Sequence, residues 1–299
     1  MVEHQQEQYG LPGYLPGSPL SLVVENCHVV VYNNCSKILR TKAGRGWRCQ
    51  VMSRIDELAG IIADSSAIVF FGGAGMSTES GIPDFRSADG IYNQKLDRKF
   101  SPEEMVSHTF LLDHPQEFFA FLFAKMIFLE AKPNAGHLAL AELENSGKLL
   151  AVVTQNIDGL HQAAGSENVC ELHGSLMRWH CMDCGRQYPL EYALQNKPVP
   201  VCKECGGIVR PDVVLYEEAL NELVIEKAVQ AIRKADTLIV GGTSLAVYPA
   251  AGLLDYFRGD NLVAINKTAT RADRSANLVI REPIGKVLSE AVRKSGGAR

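Results

Sequence analysis

The sequence predicts an α/β protein: an open, doubly wound parallel sheet with helices on both faces. Three observations carry that reading. Six short segments, at 67–71, 149–154, 169–172, 237–240, 262–266 and 278–280, are apolar on both alternating sides, as strands covered by helices are. Helical stretches at 133–146, 221–235 and 248–257 fall between several of them. A glycine-rich run, Gly72-Gly73-Ala74-Gly75, follows the first strand, where a sheet of this class takes its ligand. Two insertions break the alternation. Residues 87–132 read as mostly helical, and 175–215 are rich in Cys, Gly and Pro. The expected fold is therefore Rossmann-like with a smaller inserted helical and zinc-ribbon domain.

Along the chain, residues 1–51 differ from the rest. They carry two Leu-Pro-Gly repeats and cysteines 27, 35 and 49 at unpatterned spacings, and only 29–32 looks strand-like. They are expected to be a poorly ordered N-terminal extension, or translation from an upstream start, with the folded domain spanning 52–299. A helix opens at Met52-Ser53: Ser53 suits an N-cap with Asp56 three residues on, and Ile55, Leu58, Ile61 and Ile62 share one face. The longest apolar run, 118–129, is interrupted by Lys125 and reads as a buried helix, too short to span a bilayer.

Composition narrows the function. The chain has 299 residues, 46% of them hydrophobic, and a net charge of −4, which argues against nucleic acid or an anionic membrane surface as partner. The polar start has no basic region followed by an apolar core, so a cytoplasmic location is expected. In a reducing compartment eight cysteines are not a disulfide framework; they are metal ligands or isolated thiols.

The glycine run departs from the dehydrogenase fingerprint. Gly73-Ala74-Gly75 fits its first half, but Thr78 stands where the third glycine belongs, and a polar loop ending Pro83-Asp84-Phe85-Arg86 follows. The glycines suit a phosphate cradle, and the aromatic, carboxylate and guanidinium beyond them point to contact with the ligand itself.

Cys181, Cys184, Cys202 and Cys205 form C-x2-C-x17-C-x2-C, a spacing that fits a four-cysteine zinc ribbon, with Gly185 and Gly206-Gly207 supplying the turn after each pair. An all-thiolate set is expected to be structural. Other strand ends carry polar tips: Thr154-Gln155-Asn156-Ile157-Asp158, His173-Gly174, Gly242-Thr243-Ser244 and Ile265-Asn266. Polar groups gathered at one sheet edge predict a ligand site, and His173 is a candidate general base.

These residues resemble the sirtuins, the NAD-dependent protein lysine deacylases, most of all bacterial single-domain members. The resemblance rests on Gly73-Ala74-Gly75-Met76-Ser77, Gly81-Ile82-Pro83-Asp84-Phe85-Arg86, Thr154 to Asp158, His173-Gly174, the four cysteines, Gly242-Thr243-Ser244 and Ile265-Asn266, in family order over about residues 52–290. It implies that Ala74, Gly75 and Thr78 face the phosphates and ribose of NAD, and that Phe85 and Arg86 close over it. It gives Gln155 to the nicotinamide ribose, Ile157 and Asp158 to the carboxamide, and Thr243, Ser244 and Asn266 to the adenosine half. Asn156 would help order the site and His173 would be the base. An acetylated lysine peptide would pair as an extended strand near Val213-Val214. The implied reaction moves the acetyl group from lysine to ADP-ribose, releasing nicotinamide and O-acetyl-ADP-ribose; NAD-dependent protein ADP-ribosylation is the alternative. Family members that prefer succinyl or malonyl groups carry a Tyr-x-x-Arg pair. Here those places fall near Phe119 and Leu122, both apolar, so acetyl is the expected substrate group.

Overall fold

The computed structural model describes residues 38–43, 46–85, 90 and 100–296, and the chain divides between Ser53 and Arg54. In the first part, β1 (Ile38–Ala43) pairs antiparallel with β2 (Gly46–Val51), a hairpin that the sequence reading did not anticipate. The expected strand at 29–32 lies outside the described residues.

The second part opens with α1 (Arg54–Asp64), which buries Ile55, Leu58 and Ile62, and β3 (Ile68–Gly72), buried along its whole length. Short 3-10 turns follow at Ala74–Met76 and Thr78–Ser80. The first insertion contributes α2 (Pro102–Met105), α3 (His108–Asp113) and α4 (Pro115–Lys125). The apolar run there stops being helical after Lys125, and Leu129 is 63% exposed, so the expected buried helix over 118–129 is shorter than its apolar composition suggests.

The chain then returns to the sheet through α5 (Ala135–Asn145), β4 (Leu149–Thr154), α6 (Leu160–Ala163) and β5 (Val169–Glu171). Asn134 starts α5 by accepting the Gly136 and His137 amides. The second insertion holds β6 (Gly174–Cys181), β7 (Gln187–Pro189), α7 (Leu190–Gln195) and β8 (Val209–Val213). Its three strands form an antiparallel sheet ordered β7-β6-β8. The second half of the main sheet follows as α8 (Glu222–Lys234), β9 (Thr237–Gly241), β10 (Asn261–Ile265), β11 (Leu278–Ile280) and α9 (Ile284–Gly296). The stretch expected to be a helix at 248–257 is a 3-10 helix, Ala250–Tyr256.

The main sheet is all parallel and ordered β11-β10-β9-β3-β4-β5. The strands before and after the second insertion run outward in opposite directions from β3 and β9, so the topological switch point lies between these two. Side-chain alternation divides the core in two. Ile68 and Phe70 point to the layer of α1, α5 and α9, while Val69 and Phe71 point to α8 and the 3-10 helix. A third core joins the two insertions around Trp179, which stacks near Phe119 and Phe123. No described helix is long and apolar enough to cross a membrane.

Candidate functional site

The switch point sets the geometry. Where β3 and β9 end, their loops touch backbone to backbone: the Gly75 amide donates to the Gly242 carbonyl at 2.7 Å. Neither residue has room for a side chain. A Cβ on Gly75 would lie 2.8 Å from Gly242 Cα, and one on Gly242, whose φ is +60°, would lie 2.4 Å from the Met76 nitrogen. Two strand-end loops held this close make a crevice at the carboxyl edge of the sheet.

A cavity of about 990 Å³ opens there. It runs from Gly73, Ala74, Gly75 and Thr78 past Gln155, Asn156, Ile157, Asp158 and His173 to Val213 and Val214, and takes in Phe85, Thr243, Ser244 and Asn266. All the site residues expected from the sequence therefore meet at one cavity, apart from Arg86, which lies outside the described residues, and the cysteines.

Internal bonds fix the polar floor. Gln155 hangs from β3 through its amide to the Gly72 carbonyl at 3.0 Å, and its side-chain amide donates to Thr243 Oγ1 at 3.0 Å, tying β4 to β9. Asn156 is buried and donates to Ser77 Oγ at 3.0 Å; Ser77 in turn donates to Asp158 Oδ2 at 2.6 Å. The other Asp158 oxygen accepts the Leu160 amide at 2.9 Å, so the carboxylate is locked in place. Ser77 was not among the candidate residues. The available signal was its place two residues beyond Gly75, but its partners come from another strand.

His173 sits at the end of β5 with Nδ1 3.0 Å from the Gln155 carbonyl oxygen. Nδ1 donates to that carbonyl, which leaves the Nε2 lone pair to take a proton. Burial pushes its pKa below the ordinary histidine value, and the Gln155 carbonyl acts the other way. The neutral ring, a base, is the favoured form.

The far wall is apolar, built by Val106, Phe118, Leu122, Met126, Phe128 and Leu176. Of the two positions expected to govern acyl choice, Leu122 lines the cavity, while Phe119 is fully buried in the core between Phe118 and Trp179.

Away from the cavity, the four cysteine sulfurs lie within 4.8 Å of one another, with Cys181–Cys205 at 3.4 Å and Cys184–Cys202 at 3.6 Å. Zn–S bonds of about 2.3 Å in a tetrahedron would put sulfurs about 3.8 Å apart, so the set fits zinc. Gly185 and Gly206, with φ of 72° and 79°, turn each pair by donating back to the Cys181 and Cys202 carbonyls.

A doubly wound sheet with a large polar-floored cavity at its switch point, together with a separate four-cysteine cluster that fits a metal ion, defines the class: a Rossmann-like α/β protein with an inserted cysteine ribbon. The chain belongs to the Sir2 family, whose sequence profile matches residues 73–249. It is 61% identical over 240 residues to the NAD-dependent protein deacetylase of Clostridium perfringens (strain 13 / Type A), covering 80% of this chain and 98% of the relative. Among solved structures, one Sir2 with deacetylated p53 peptide and 3′-O-acetyl-ADP-ribose superposes with a TM-score of 0.75 at 35% identity, covering 82% of this chain and 99% of that one. A Sir2 with p53 peptide and NAD+ gives 0.71 at 36% identity, covering 81% and 98%.

Proposed function

We propose that this protein is an NAD-dependent protein lysine deacetylase that transfers the acetyl group of acetyl-lysine to ADP-ribose, with release of nicotinamide and O-acetyl-ADP-ribose. The observation that carries the reading is one continuous cavity reaching from the glycine loop to Val213-Val214, with His173 between them. NAD supplies an activated ribose carbon, and the acyl oxygen of the substrate supplies the nucleophile.

In this reading Ala74, Gly75 and Thr78 face the phosphates and ribose, Thr243, Ser244 and Asn266 take the adenosine half, and Phe85 with Arg86 shields the cofactor. Gln155 faces the nicotinamide ribose. Ile157 and the pinned Asp158 hold the carboxamide, and Asn156 keeps Ser77 and Asp158 in register. Fixed dipoles around a buried reacting centre stabilise developing charge without reorganising. His173 Nε2 would take the proton from the ribose hydroxyl as it attacks the acyl carbon, and water then releases the lysine amine and leaves the acetyl group on ADP-ribose. Cys181, Cys184, Cys202 and Cys205 hold one structural Zn²⁺ that orders the ribbon next to Val213.

The catalytic domain spans 52–299, with 1–51 as an extension, and the protein works in the cytoplasm on acetylated proteins rather than on nucleic acid or membranes. Cysteines grouped as metal ligands support that compartment. Incubating an acetyl-lysine peptide with NAD tests the activity: mass spectrometry should show loss of one acetyl group, dependent on NAD, together with O-acetyl-ADP-ribose. Addition of ADP-ribose to an intact acetyl-peptide would replace this reading with the transferase one.

A further inference from the structure

Residues 213–218 are where the sheet edge, the helical insertion and the ribbon meet. The Val214 amide donates to the His173 carbonyl at 3.0 Å. The Tyr216 amide donates to the Val106 carbonyl at 3.1 Å, and the Tyr216 carbonyl accepts the His108 amide at 3.1 Å. Glu218 is held by buried Arg210, by His108 at 2.7 Å and by the Leu215 amide at 2.8 Å. Between these two anchors Glu217 has a φ of +76°; among the described non-glycine residues only it and Leu245 occupy the left-handed region. A glutamate is disfavoured there relative to glycine, so something must hold it. Its Oε2 accepts both the Thr109 amide, at 2.9 Å, and Thr109 Oγ1, at 2.7 Å.

The geometry points to Glu217 as a positioning residue for the substrate peptide, latching the far end of the peptide-pairing segment onto the start of α3. This rests on the reading of Val213-Val214 as the strand that the substrate extends. One end of the segment is fixed by β8 and the His173 carbonyl. The other end is fixed by the backbone bonds of Tyr216 to Val106 and His108 and by the side chains of Glu217 and Glu218 at the turn. A strand template ordered beforehand adds a peptide at little entropic cost, whereas a loose one must be ordered by the peptide itself. The latch therefore acts on peptide binding and leaves the chemistry at His173 alone.

The test compares Glu217→Gly, Glu217→Gln and Thr109→Val in the full-length, zinc-loaded enzyme with an acetyl-lysine peptide. Glycine suits the left-handed turn but removes the latch. Loss of a charged hydrogen-bond pair at this exposed position should raise the peptide KM about 3- to 10-fold, with kcat and the KM for NAD within about twofold of wild type and the melting temperature equal or higher. Glu217→Gln, which still presents an acceptor oxygen, should recover most of the lost affinity. Thr109→Val should raise the peptide KM in the same direction and add little on top of Glu217→Gly. An unchanged peptide KM in Glu217→Gly overturns the inference, as does a parallel change in the KM for NAD or a melting temperature several degrees lower, which would assign the contact to folding. Wild-type enzyme with no NAD-dependent deacetylation would overturn the functional reading beneath it, and this inference with it. An active wild type with an indifferent Glu217→Gly would overturn this inference alone.

Discussion

His173 Nδ1 lies 3.0 Å from the main-chain oxygen of Gln155, a residue whose own side chain reaches across to Thr243 on the neighbouring loop. The His173 ring, the proposed base, is thereby oriented by the same strand end that ties the two halves of the sheet together. Moving Gln155 would disturb both the ring and the floor beneath it.

This geometry sets a pH dependence. As the proposed base, His173 would act in its neutral form, and burial lowers its pKa. Activity should therefore persist below the ordinary histidine value near 6.5 and fall as pH drops through the depressed one. The acid limb of a kcat/KM profile checks this. His173→Ala should cost about 10²- to 10⁴-fold in kcat while the zinc content and melting temperature stay at wild-type levels.

At the switch point, Gly242→Ala should be damaging twice over. The new methyl would lie 2.4 Å from the Met76 nitrogen at a φ of +60°. A loss of about 1–3 kcal/mol, or roughly 2–10 °C in melting temperature, is expected together with weaker NAD binding. Calorimetry with and without NAD separates the two effects, and an alanine variant that binds NAD normally would refute the close-contact argument.

Metal analysis should find about one zinc per chain. Cys181 belongs to the same core cluster as Trp179, which is fully buried. Stripping the ion with a chelator should therefore loosen that core, red-shift the tryptophan emission and abolish activity. Retained activity in the zinc-free protein would count against a structural role.

The cavity's far wall predicts a preference among acyl groups. Phe118, Leu122 and Met126 offer no cation to a second carboxylate. Burying that charge unpaired is costly, so a succinyl-lysine peptide should show a kcat/KM at least about tenfold below the acetyl one. Side-by-side assay of the two peptides decides it; equal turnover would sink the expectation.

Behind the site, His137 and His161 meet ring to ring at 4.7 Å, both almost fully buried. Burial holds His137 down to about 4, against the pull of Asp158, and His161 down to about 3. Both stay neutral in the fold at a pH where the unfolded chain would protonate them. Stability from this pair is thus complete above about 6.5 and is lost as pH falls toward 4 and 3. Melting temperatures measured from pH 7 down to 4 should decline, and His161→Leu should flatten the slope.

Much of this molecule was legible in one dimension. The strands at 149–154 and 278–280 were bounded correctly because both their faces are apolar, and that pattern is local. The cysteine quartet was legible because two short turns fix the ligand geometry whatever surrounds them. Helix α9 is not among the elements expected from the sequence, although Ile284, Val287, Leu288 and Ala291 lie at helical spacing on its buried face. The helical stretch expected at 248–257 is a 3-10 helix over Ala250–Tyr256, because periodicity alone does not set the turn type.

By itself, the sequence determined the layered α/β class, the cysteine quartet and the identity of the polar strand tips, since each depends on neighbours a few residues apart. The tertiary structure alone decided which loops touch. It brought Gly75 onto Gly242, Ser77 onto Asp158 and Glu217 onto Thr109. Those contacts join segments far apart in the chain. They exist only once the sheet order, set by collective burial of both faces, has placed β3 beside β9 and folded the two insertions against one edge.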